Sequence, residues 1–419
     1  MTGPASCYLL PLLTARVFLR LPFPRSLPEP LGHDEVKMRT KVTEMLGIDF
    51  PILAFTHCRD VAAAVTNAGG LGVLGAVAHT PEQLDIDLKW IREQVKGRPF
   101  GVDLLIPSKY LGSEKGGFDQ SSLRSMIPDE HREWLDQLLE RYGVPPLPPR
   151  SPGSTRDERG MGALRVDPKS MLPLIEVAFE NKVALMASAL GTPPVWLIDR
   201  CRAAGIAVAA LAGRIDHALA HKAAGVDIII AQGTEAGGHT GEIATMVLVP
   251  QVVDAVAPIP VLAAGGIANG RQVAAAIALG AEGVWCGSVW LTTNEAETPP
   301  VVKDKFLAAA SSDTLRSRSL TGKPARMLRT AWTDAWQEEG APQTLPMPLQ
   351  GVLVMDAQRR IHRVAHNHGS GAEQLATYFV GQVVGQMNTP MPARRVVAEM
   401  IEEFVDVMER MNGLLAEDA

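Results

Sequence analysis

The amino-acid sequence predicts an α/β protein in which eight parallel strands close into a (β/α)8, or TIM, barrel. Eight short segments rich in β-branched residues recur along the 419 residues, each bounded by Gly or Pro. Helix-like stretches separate most of them, and the strands are continuous apolar runs without strict two-residue alternation. Buried parallel strands have this pattern, and eight strand–helix units favour a closed barrel over an open sheet. In such a barrel, the chemistry lies at the carboxyl ends of the strands.

The strands are predicted from their apolar content and from the Gly and Pro residues that flank them. Their expected ranges are 51–55, 71–74, 100–105, 183–188, 206–211, 226–232, 259–264 and 283–287. Four of the stretches between them close on glycine: VAAAVTNAGG, WLIDRCRAAG, ALAHKAAG and VAAAIALG. Glycine after the last helical turn suits a left-handed helix cap, and the next strand then begins at once.

Four regions lie outside this alternation around the barrel of residues 38–291. Residues 1–37 are rich in Leu, Pro and Arg and are expected to be a disordered or over-annotated extension. The polar, Pro-rich residues 106–166 are expected to be a partly mobile insertion after the third strand. Residues 292–374 are too long for a loop and are expected to form a smaller lid subdomain. Residues 375–419 are expected to be C-terminal helices on the barrel, from the patterns AEQLATYFVGQVVGQM and PARRVVAEMIEEFVDVMERM.

The composition excludes several classes of function. A formal net charge of -6 removes the broad attraction that nucleic acid or an anionic lipid surface requires. No apolar run approaches the roughly 18 to 20 residues of a membrane span. The four cysteines are far apart and have neither metal-site nor disulfide spacing, which fits a reducing compartment. We therefore expect a cytoplasmic protein with a small-molecule ligand, and association of identical chains stays open.

Three glycine-rich turns follow the last three predicted strands. The sixth strand leads into AQGTEAGGHTG, the seventh into Gly265 and Gly266, and the eighth into Gly287 and Ser288. In barrels of this type, the loops after strands seven and eight commonly hold a phosphate through backbone N–H groups. Either pair alone could simply make a tight turn. Together the three turns indicate one phosphorylated planar ligand that contacts all of them.

His239 directly follows two adjacent glycines, Gly237 and Gly238. A strand that ends in two glycines brings bare backbone to a place where only a residue without Cβ fits, so a rigid body is expected against it. His239 would stand beside that body, whereas the structural alternative is a hydrogen-bonded loop histidine. Glu235 is expected either to orient His239 or to pair with an arginine, and the orienting role is favoured.

Four motifs together resemble the nitronate monooxygenase family, formerly called 2-nitropropane dioxygenases, whose members are FMN-dependent (β/α)8 enzymes. They are AAAVTNAGGLGVLG, AQGTEAGGHTG, PVLAAGGIANGRQVAAAIALGAEGVWCGS and TGKPARMLR, in the family's order. The resemblance implies oxidation of alkyl nitronates, and of nitroalkanes, with O2. A nitronate would give an electron to FMN, O2 would be consumed, and a carbonyl compound and nitrite would form.

The resemblance also implies roles for individual residues. His239 matches the family's histidine, which acts as the base toward neutral nitroalkanes, and an imidazole with a pKa near about 6.5 suits that role. The residues on positions that the family uses for FMN are Ala54, Asp103, Gln232, Gly237, Gly238, Gly265, Gly266, Trp285, Cys286, Gly287 and Ser288.

Two positions depart from the family pattern. Where relatives often read QAPM after the first strand, this chain has Ala54, Phe55, Thr56 and His57, so His57 adds a second ionisable group near the substrate. Asp103 stands where an asparagine commonly contacts the flavin. A carboxylate there would be repelled by reduced, anionic flavin unless it is protonated or paired.

Two other functions remain open from the sequence. The same FMN cradle would serve a reductase that passes electrons from NAD(P)H to a quinone or an enoyl thioester. It would also suit a barrel that binds a phosphorylated ligand without turnover. His362, His366 and His368 have a spacing that could bind metal, but no cysteine or paired acid accompanies them, so no metal is expected.

Overall fold

Among the described residues, eight of the eleven strands close a parallel barrel in the order in which they occur along the chain. The structure, a computed structural model, describes residues 37–104, 120–148 and 168–414. Its strands are β1 Ile52–Thr56, β2 Leu71–Gly75, β3 Gly101–Leu104, β4 Leu185–Ser188, β5 Ala207–Ala212, β6 Ile228–Gln232, β7 Gly238–His239, β8 Val261–Ala264, β9 Gly283–Cys286, β10 Thr314–Ser317 and β11 Ala325–Leu328. The barrel order is β1-β2-β3-β4-β5-β6-β8-β9, and β9 pairs with β1 to close it. The predicted barrel is therefore confirmed, and the described strand ends differ from the expected ones by at most two residues.

The described chain has fifteen α-helices, and those that follow the barrel strands cover the outside of the barrel. They are α1 Lys41–Leu46, α2 Arg59–Asn67, α3 Pro81–Val95, α4 Gln120–Ser125, α5 Asp129–Arg141, α6 Pro168–Glu180, α7 Val195–Ala203, α8 Ile215–Ala224, α9 Thr245–Val256, α10 Gly270–Ala278, α11 Pro300–Ala308, α12 Ala331–Ala335, α13 Leu349–Val364, α14 Gly371–Leu375 and α15 Ala393–Gly413. The glycines expected after α2, α7, α8 and α10 all have left-handed backbone. No helix in the described part of the chain is long and apolar enough to cross a membrane.

The barrel strands send alternate side chains into two separate apolar layers. One layer fills the barrel interior and includes Leu53, Ala187, Ile230, Ala264 and Trp285. The other lies between the barrel and its helices; it includes residues such as Ile52, Val102 and Val284 and packs them against the apolar faces of the helices. Because residues opposite each other in register face the same side of the sheet, this alternation decides which predicted site residues can face the barrel mouth.

A second subdomain is built around its own apolar cluster. We use this name for α4 and α5 together with residues 300–387. Trp332, Phe306 and Ile361 are fully buried in its cluster, to which Leu138 of α5 also belongs. The described part of the 106–166 insertion thus packs with the chain that follows β9. The cluster extends to Met387, beyond the expected boundary at residue 374.

The antiparallel sheet β10-β11-β7 connects this subdomain to the turn after β6. In it, Ala325 of β11 lies opposite His239 of β7, and Arg326 lies opposite Gly238.

The expected helix over residues 372–387 is wrong. Helix α14 ends at Leu375, Phe379 forms an isolated antiparallel bridge with Met327, and Gln382–Gln386 is a short 3-10 helix. Tertiary hydrogen bonds replace the helical ones here, because Leu328 N–H donates to Tyr378 O and Gln382 N–H donates to Glu235 O. The second expected helix is present as α15, and Gly270 lets the backbone of α15 approach α10 closely. Residues 1–36 and 149–167, which carry other expectations, lie outside the described residues.

Candidate functional site

The floor of the barrel mouth is aromatic. At the carboxyl ends of β1 and β9, the rings of Phe55 and Trp285 stack with centroids 6.0 Å apart and planes 22° from parallel. His57 meets Phe55 edge-on at 5.1 Å, and its Nδ1 lies 3.0 Å from Gly75 O. We call the space above this floor, bounded by the turns after β6, β8 and β9, the cleft. The two rings give this end of the barrel an apolar surface.

Three of the five glycines predicted at the cleft have empty space at the place where a Cβ would lie. A Cβ added to Gly238 would meet nothing within 4 Å, one on Gly266 would approach Glu235 no closer than 3.5 Å, and one on Gly287 would approach Phe55 at 3.7 Å. Gly238 and Gly266 need glycine for their φ of 76° and 75°. Gly287 has a φ of -119°, which any residue adopts, so neither its backbone nor a described neighbour requires glycine there.

The other two glycines are required by the protein itself. A Cβ on Gly237 would lie 2.8 Å from Gly381 N and 2.9 Å from Val380 C. In the direction of its Cβ, the rigid body expected against Gly237 is therefore the backbone of residues 380–381. Gly265 likewise faces Ala236 N and Gly233 O at 3.1 Å. At these two positions, glycine is needed because protein backbone occupies the place where a Cβ would lie.

Ala54 and Cys286 were expected at the cofactor, but their side chains point away from the cleft. They lie opposite each other in register, and both belong to the layer between barrel and helices. The Cys286 carbonyl accepts a hydrogen bond of 2.7 Å from Trp290 Nε1, and burial raises the pKa of the Cys286 thiol to about 12. Because every second residue of a strand faces the helices, any contact of these two residues with a cofactor would have to come from their backbone atoms.

Gln232 and Ser288 are placed where a ligand could reach them. Gln232 ends β6 opposite Ala264, an interior residue, so it faces the barrel mouth. Among the described residues, no group forms a hydrogen bond with the side-chain amide of Gln232. The Ser288 hydroxyl accepts a hydrogen bond of 2.8 Å from Gly381 N–H, which leaves its own O–H free to donate.

Asp103 is buried at the barrel mouth without a partner for one of its oxygens. It pairs in register with Gly75 and with Ala187, an interior residue, so its side chain points inward at the end of β3. The residue is 4% exposed, and Oδ2 has no hydrogen-bond partner among the described groups. Burial without a compensating cation raises the pKa of Asp103 to about 8. At neutral pH the group is mainly a neutral acid, which carries one donor and one acceptor as an asparagine amide does.

His239 is held by a contact between one ring nitrogen and a backbone carbonyl. Its Nδ1 lies 3.3 Å from the carbonyl oxygen of Pro324. A carbonyl only accepts, so this contact assigns the proton to Nδ1 and leaves the lone pair on Nε2. Burial lowers the pKa of His239, with the charge of Lys323 adding to the effect. The residue is partly accessible to solvent, and its ring lies 6.3 Å from the ring of Phe379.

Glu235 does not orient His239, contrary to the favoured expectation. Both of its carboxylate oxygens accept hydrogen bonds from Thr245 N, at 3.1 and 3.0 Å, and Oε2 also accepts one from Thr245 Oγ1. Thr245 is the first residue of α9, so the carboxylate caps that helix and satisfies one of its free N–H groups. The orienting group of His239 is the Pro324 carbonyl, which the sequence did not indicate.

His57 is a second neutral imidazole at the edge of the cleft. The ring is open to solvent through the cleft, yet protein replaces most of the bulk water around it, which lowers the pKa of His57. The contact with Gly75 O is the opposing influence. His57 is therefore placed where a substrate could contact it, but neutral at pH 7.

The sequence missed the segment that closes the cleft on the side of the second subdomain. Phe379 faces His239, and Gly381 packs against Glu235 O, where an added Cβ would lie 2.6 Å away. The one available signal is the glycine in FVGQ, which a helical interpretation of the segment cannot use.

Comparison with known proteins adds two kinds of similarity. The family model for nitronate monooxygenase matches residues 39–403. The Mycobacterium tuberculosis protein Rv1533 is 61% identical over 378 residues, which cover 90% of this chain and 100% of that protein.

Solved structures agree with the fold. Nitroalkane oxidase from Streptomyces ansochromogenes superposes with a TM-score of 0.70 at 28% identity, covering 88% of this chain and 99% of that one. FabK from Thermotoga maritima superposes with a TM-score of 0.66 at 29% identity, covering 90% and 100%.

Proposed function

Because the chain belongs to the nitronate monooxygenase family, we propose that it oxidises alkyl nitronates with O2, using FMN in the cleft, and releases a carbonyl compound and nitrite. It is a flavin-dependent oxidoreductase with a TIM-barrel fold. The choice of FMN, the nitronate substrate and the roles of individual residues are parts of the proposal.

The observation that carries the proposal is Gly287. Nothing in its backbone conformation or among its described neighbours requires glycine, and a Cβ there would project into the cleft above Phe55. A bound ring system that uses this space would exclude the side chain. Gly266 and the O–H of Ser288 lie in adjacent turns, where backbone and hydroxyl donors suit a phosphate. The residues present therefore fit a phosphorylated flavin, and Phe55 and Trp285 would supply apolar contacts to its ring.

When bound, FMN supplies the redox chemistry that amino-acid side chains cannot, because it takes electrons from the substrate and passes them to O2. The protein's own contribution begins with the proton. A nitronate has already lost its carbon-bound proton, whereas a neutral nitroalkane still carries it. With Nδ1 held by the Pro324 carbonyl, Nε2 of His239 keeps a free lone pair and would accept this proton. The Pro324 carbonyl then stabilises the imidazolium by holding Nδ1–H.

Asp103 and Gln232 supply polar contacts to the ring edge. A neutral Asp103 offers an O–H donor from Oδ2, the atom that has no partner among the described groups. The Gln232 amide offers a donor and an acceptor from the end of β6. Neither group brings a negative charge to the flavin at neutral pH, which removes the conflict that Asp103 posed as a departure from the family pattern.

The proposed function is tested by O2 consumption. Protein loaded with FMN is mixed with ethyl nitronate or with neutral nitroethane, and both O2 uptake and nitrite are measured. We expect uptake with nitrite formation for ethyl nitronate, and slower uptake for nitroethane. Loaded protein that consumes O2 with neither compound would contradict the proposal.

A further inference from the structure

The turn between β6 and α9 carries His239, and its own sequence does little to fix its shape. Four of the nine residues 233–241 are glycines, which adopt more backbone conformations than other residues. Strand β7 lies within this turn, is only two residues long and pairs with β11. A pairing of two residues is weak by itself. Contacts from outside the turn must therefore help to hold His239 in place.

Arg326 of β11 supplies such contacts from the second subdomain. It lies opposite Gly238, the residue before His239, in the register of the small sheet. Its Nε–H donates to Thr234 O at 2.8 Å, and its Nη1–H donates to Thr314 Oγ1 of β10 at 3.1 Å. The guanidinium therefore joins the start of the turn after β6 to the β10-β11 pair.

The guanidinium of Arg326 is buried, and among the described residues its acceptors are neutral. The residue is 8% exposed, and the two acceptors recorded for it are a backbone carbonyl and a hydroxyl. Arg316 lies directly opposite it on β10. Desolvation and the charge of Arg316 lower the pKa of Arg326, while Glu235 acts in the opposite direction. A buried cation in this setting costs stability, so its contribution is to fix the two segments that it joins.

We propose that Arg326 is the positioning residue of His239. By holding Thr234 and Thr314 together, it keeps β7 in the register in which Pro324 O meets Nδ1 of His239. That contact is 3.3 Å long, so it restrains the ring only while the backbone register is kept. The inference rests on the proposed function, in which Nε2 of His239 accepts the substrate proton. A displacement of about 1 Å at such a base lowers the rate by up to about 10²-fold.

The test compares Arg326→Gln with the matched control Arg329→Gln. Glutamine is too short to join both acceptors, whereas Arg329 follows β11 directly, is exposed and pairs with Asp334. In protein loaded with FMN, we expect Arg326→Gln to lower kcat for neutral nitroethane about 10-fold or more. Its kcat for ethyl nitronate and its bound flavin should not change, and Arg329→Gln should match the unmodified protein. Equal loss with the two substrates in Arg326→Gln would overturn the proposal.

A second readout does not depend on turnover. Isotope-labelled histidines are titrated by NMR, and the signal of His239 is the one that His239→Asn lacks. Burial lowers the pKa of His239, and the charge recorded as acting on it is that of Lys323, which the two variants keep. A ring released from its register gains contact with water, so its pKa should rise toward about 6.5 in Arg326→Gln and not in Arg329→Gln. An unchanged pKa in Arg326→Gln would contradict the proposal, whereas failure of the proposed function would appear as absence of nitronate oxidation by the unmodified protein.

Thr314→Val serves as a second variant in case Arg326→Gln does not fold. Valine has nearly the same shape, suits a strand and removes only the hydroxyl that accepts from Nη1–H of Arg326. The contact with Thr234 remains, so we expect smaller changes in the same directions, with kcat for nitroethane lowered about 2- to 3-fold. Folded Thr314→Val in which both this kcat and the pKa of His239 are unchanged would overturn the proposal.

Discussion

Replacing Asp103 by asparagine should stabilise the protein, and the gain should depend on pH. In the folded chain, burial raises the pKa of Asp103 from 3.8 to about 8. The unfolded state ionises above about pH 4 while the folded state stays protonated, so stability is lost as the pH rises from about 4 to about 8. At pH 7 the gap to the unfolded pKa is about three units, which corresponds to an upper limit of about 4 kcal/mol at 1.36 kcal/mol per unit.

Asparagine has the same shape and is neutral at every pH, so Asp103→Asn should remove this loss. Urea unfolding of both proteins at pH 4, 5, 6, 7 and 8 measures the difference in the free energy of unfolding. We expect almost no difference at pH 4 and a gain that grows to a few kcal/mol at pH 7. The control is Asp199→Asn, whose exposed carboxylate pairs with Arg202 and should change stability by less than about 0.5 kcal/mol. A gain that is independent of pH, or a loss at pH 7, would refute the reasoning.

Three further changes test the cleft. His239→Asn should lower turnover of neutral nitroethane by about 10²-fold or more, leave turnover of ethyl nitronate unchanged and leave FMN bound. Equal loss of activity with both substrates would reduce His239 to a positioning role. In the unmodified enzyme, burial lowers the pKa of His239. The value of kcat/KM for nitroethane should therefore decrease on acidification only below about pH 6.5, and this acid limb of the pH profile should be absent for the nitronate. Gly287→Leu should abolish the visible absorption of bound flavin without lowering the thermal unfolding temperature, because its φ suits any residue, whereas retained flavin would mean that Gly287 does not face it. Glu235→Gln should cost about 1 kcal/mol through the weakened cap of α9 and leave the acid limb unchanged, and a shifted limb would restore an orienting role for Glu235.

The barrel could be predicted from sequence because its signals are local. Each strand is a short apolar run between Gly or Pro residues, and glycine follows several of the intervening helices at the expected positions. The segment 372–387 shows the limit of this approach. It has the composition of a helix, but Leu328 and Glu235, distant in sequence, take its backbone hydrogen bonds. Such competition between local propensity and tertiary pairing is not visible in a single sequence.

The candidate site, like the fold, could be predicted only in part from the sequence. His239, Gly266, Gly287 and Gln232 lie at one end of the barrel, because turns and strand ends after neighbouring strands must meet there. The side chains of Ala54 and Cys286 instead lie between the barrel and its helices, because the side to which a strand residue points depends on its register.

Partners from the second subdomain could not be assigned from sequence either. The Pro324 carbonyl at His239 and the backbone of residues 380–381 at Gly237 come from chain segments about 85 and 140 residues away. Neither contact leaves a motif in the sequence, since both partners are backbone groups. Glu235 shows the converse error, because a nearby acid was expected at His239 and instead caps α9.

The most direct test of the central claim is anaerobic reduction of the flavin by a nitronate. Protein purified and loaded with FMN is mixed with ethyl nitronate in the absence of O2, and the visible absorption is followed. The account predicts that the flavin bleaches, that the colour returns when air is admitted, and that nitrite is then found in solution. A protein that stays colourless after incubation with FMN, or a bound flavin that NADPH bleaches and ethyl nitronate does not, would contradict it.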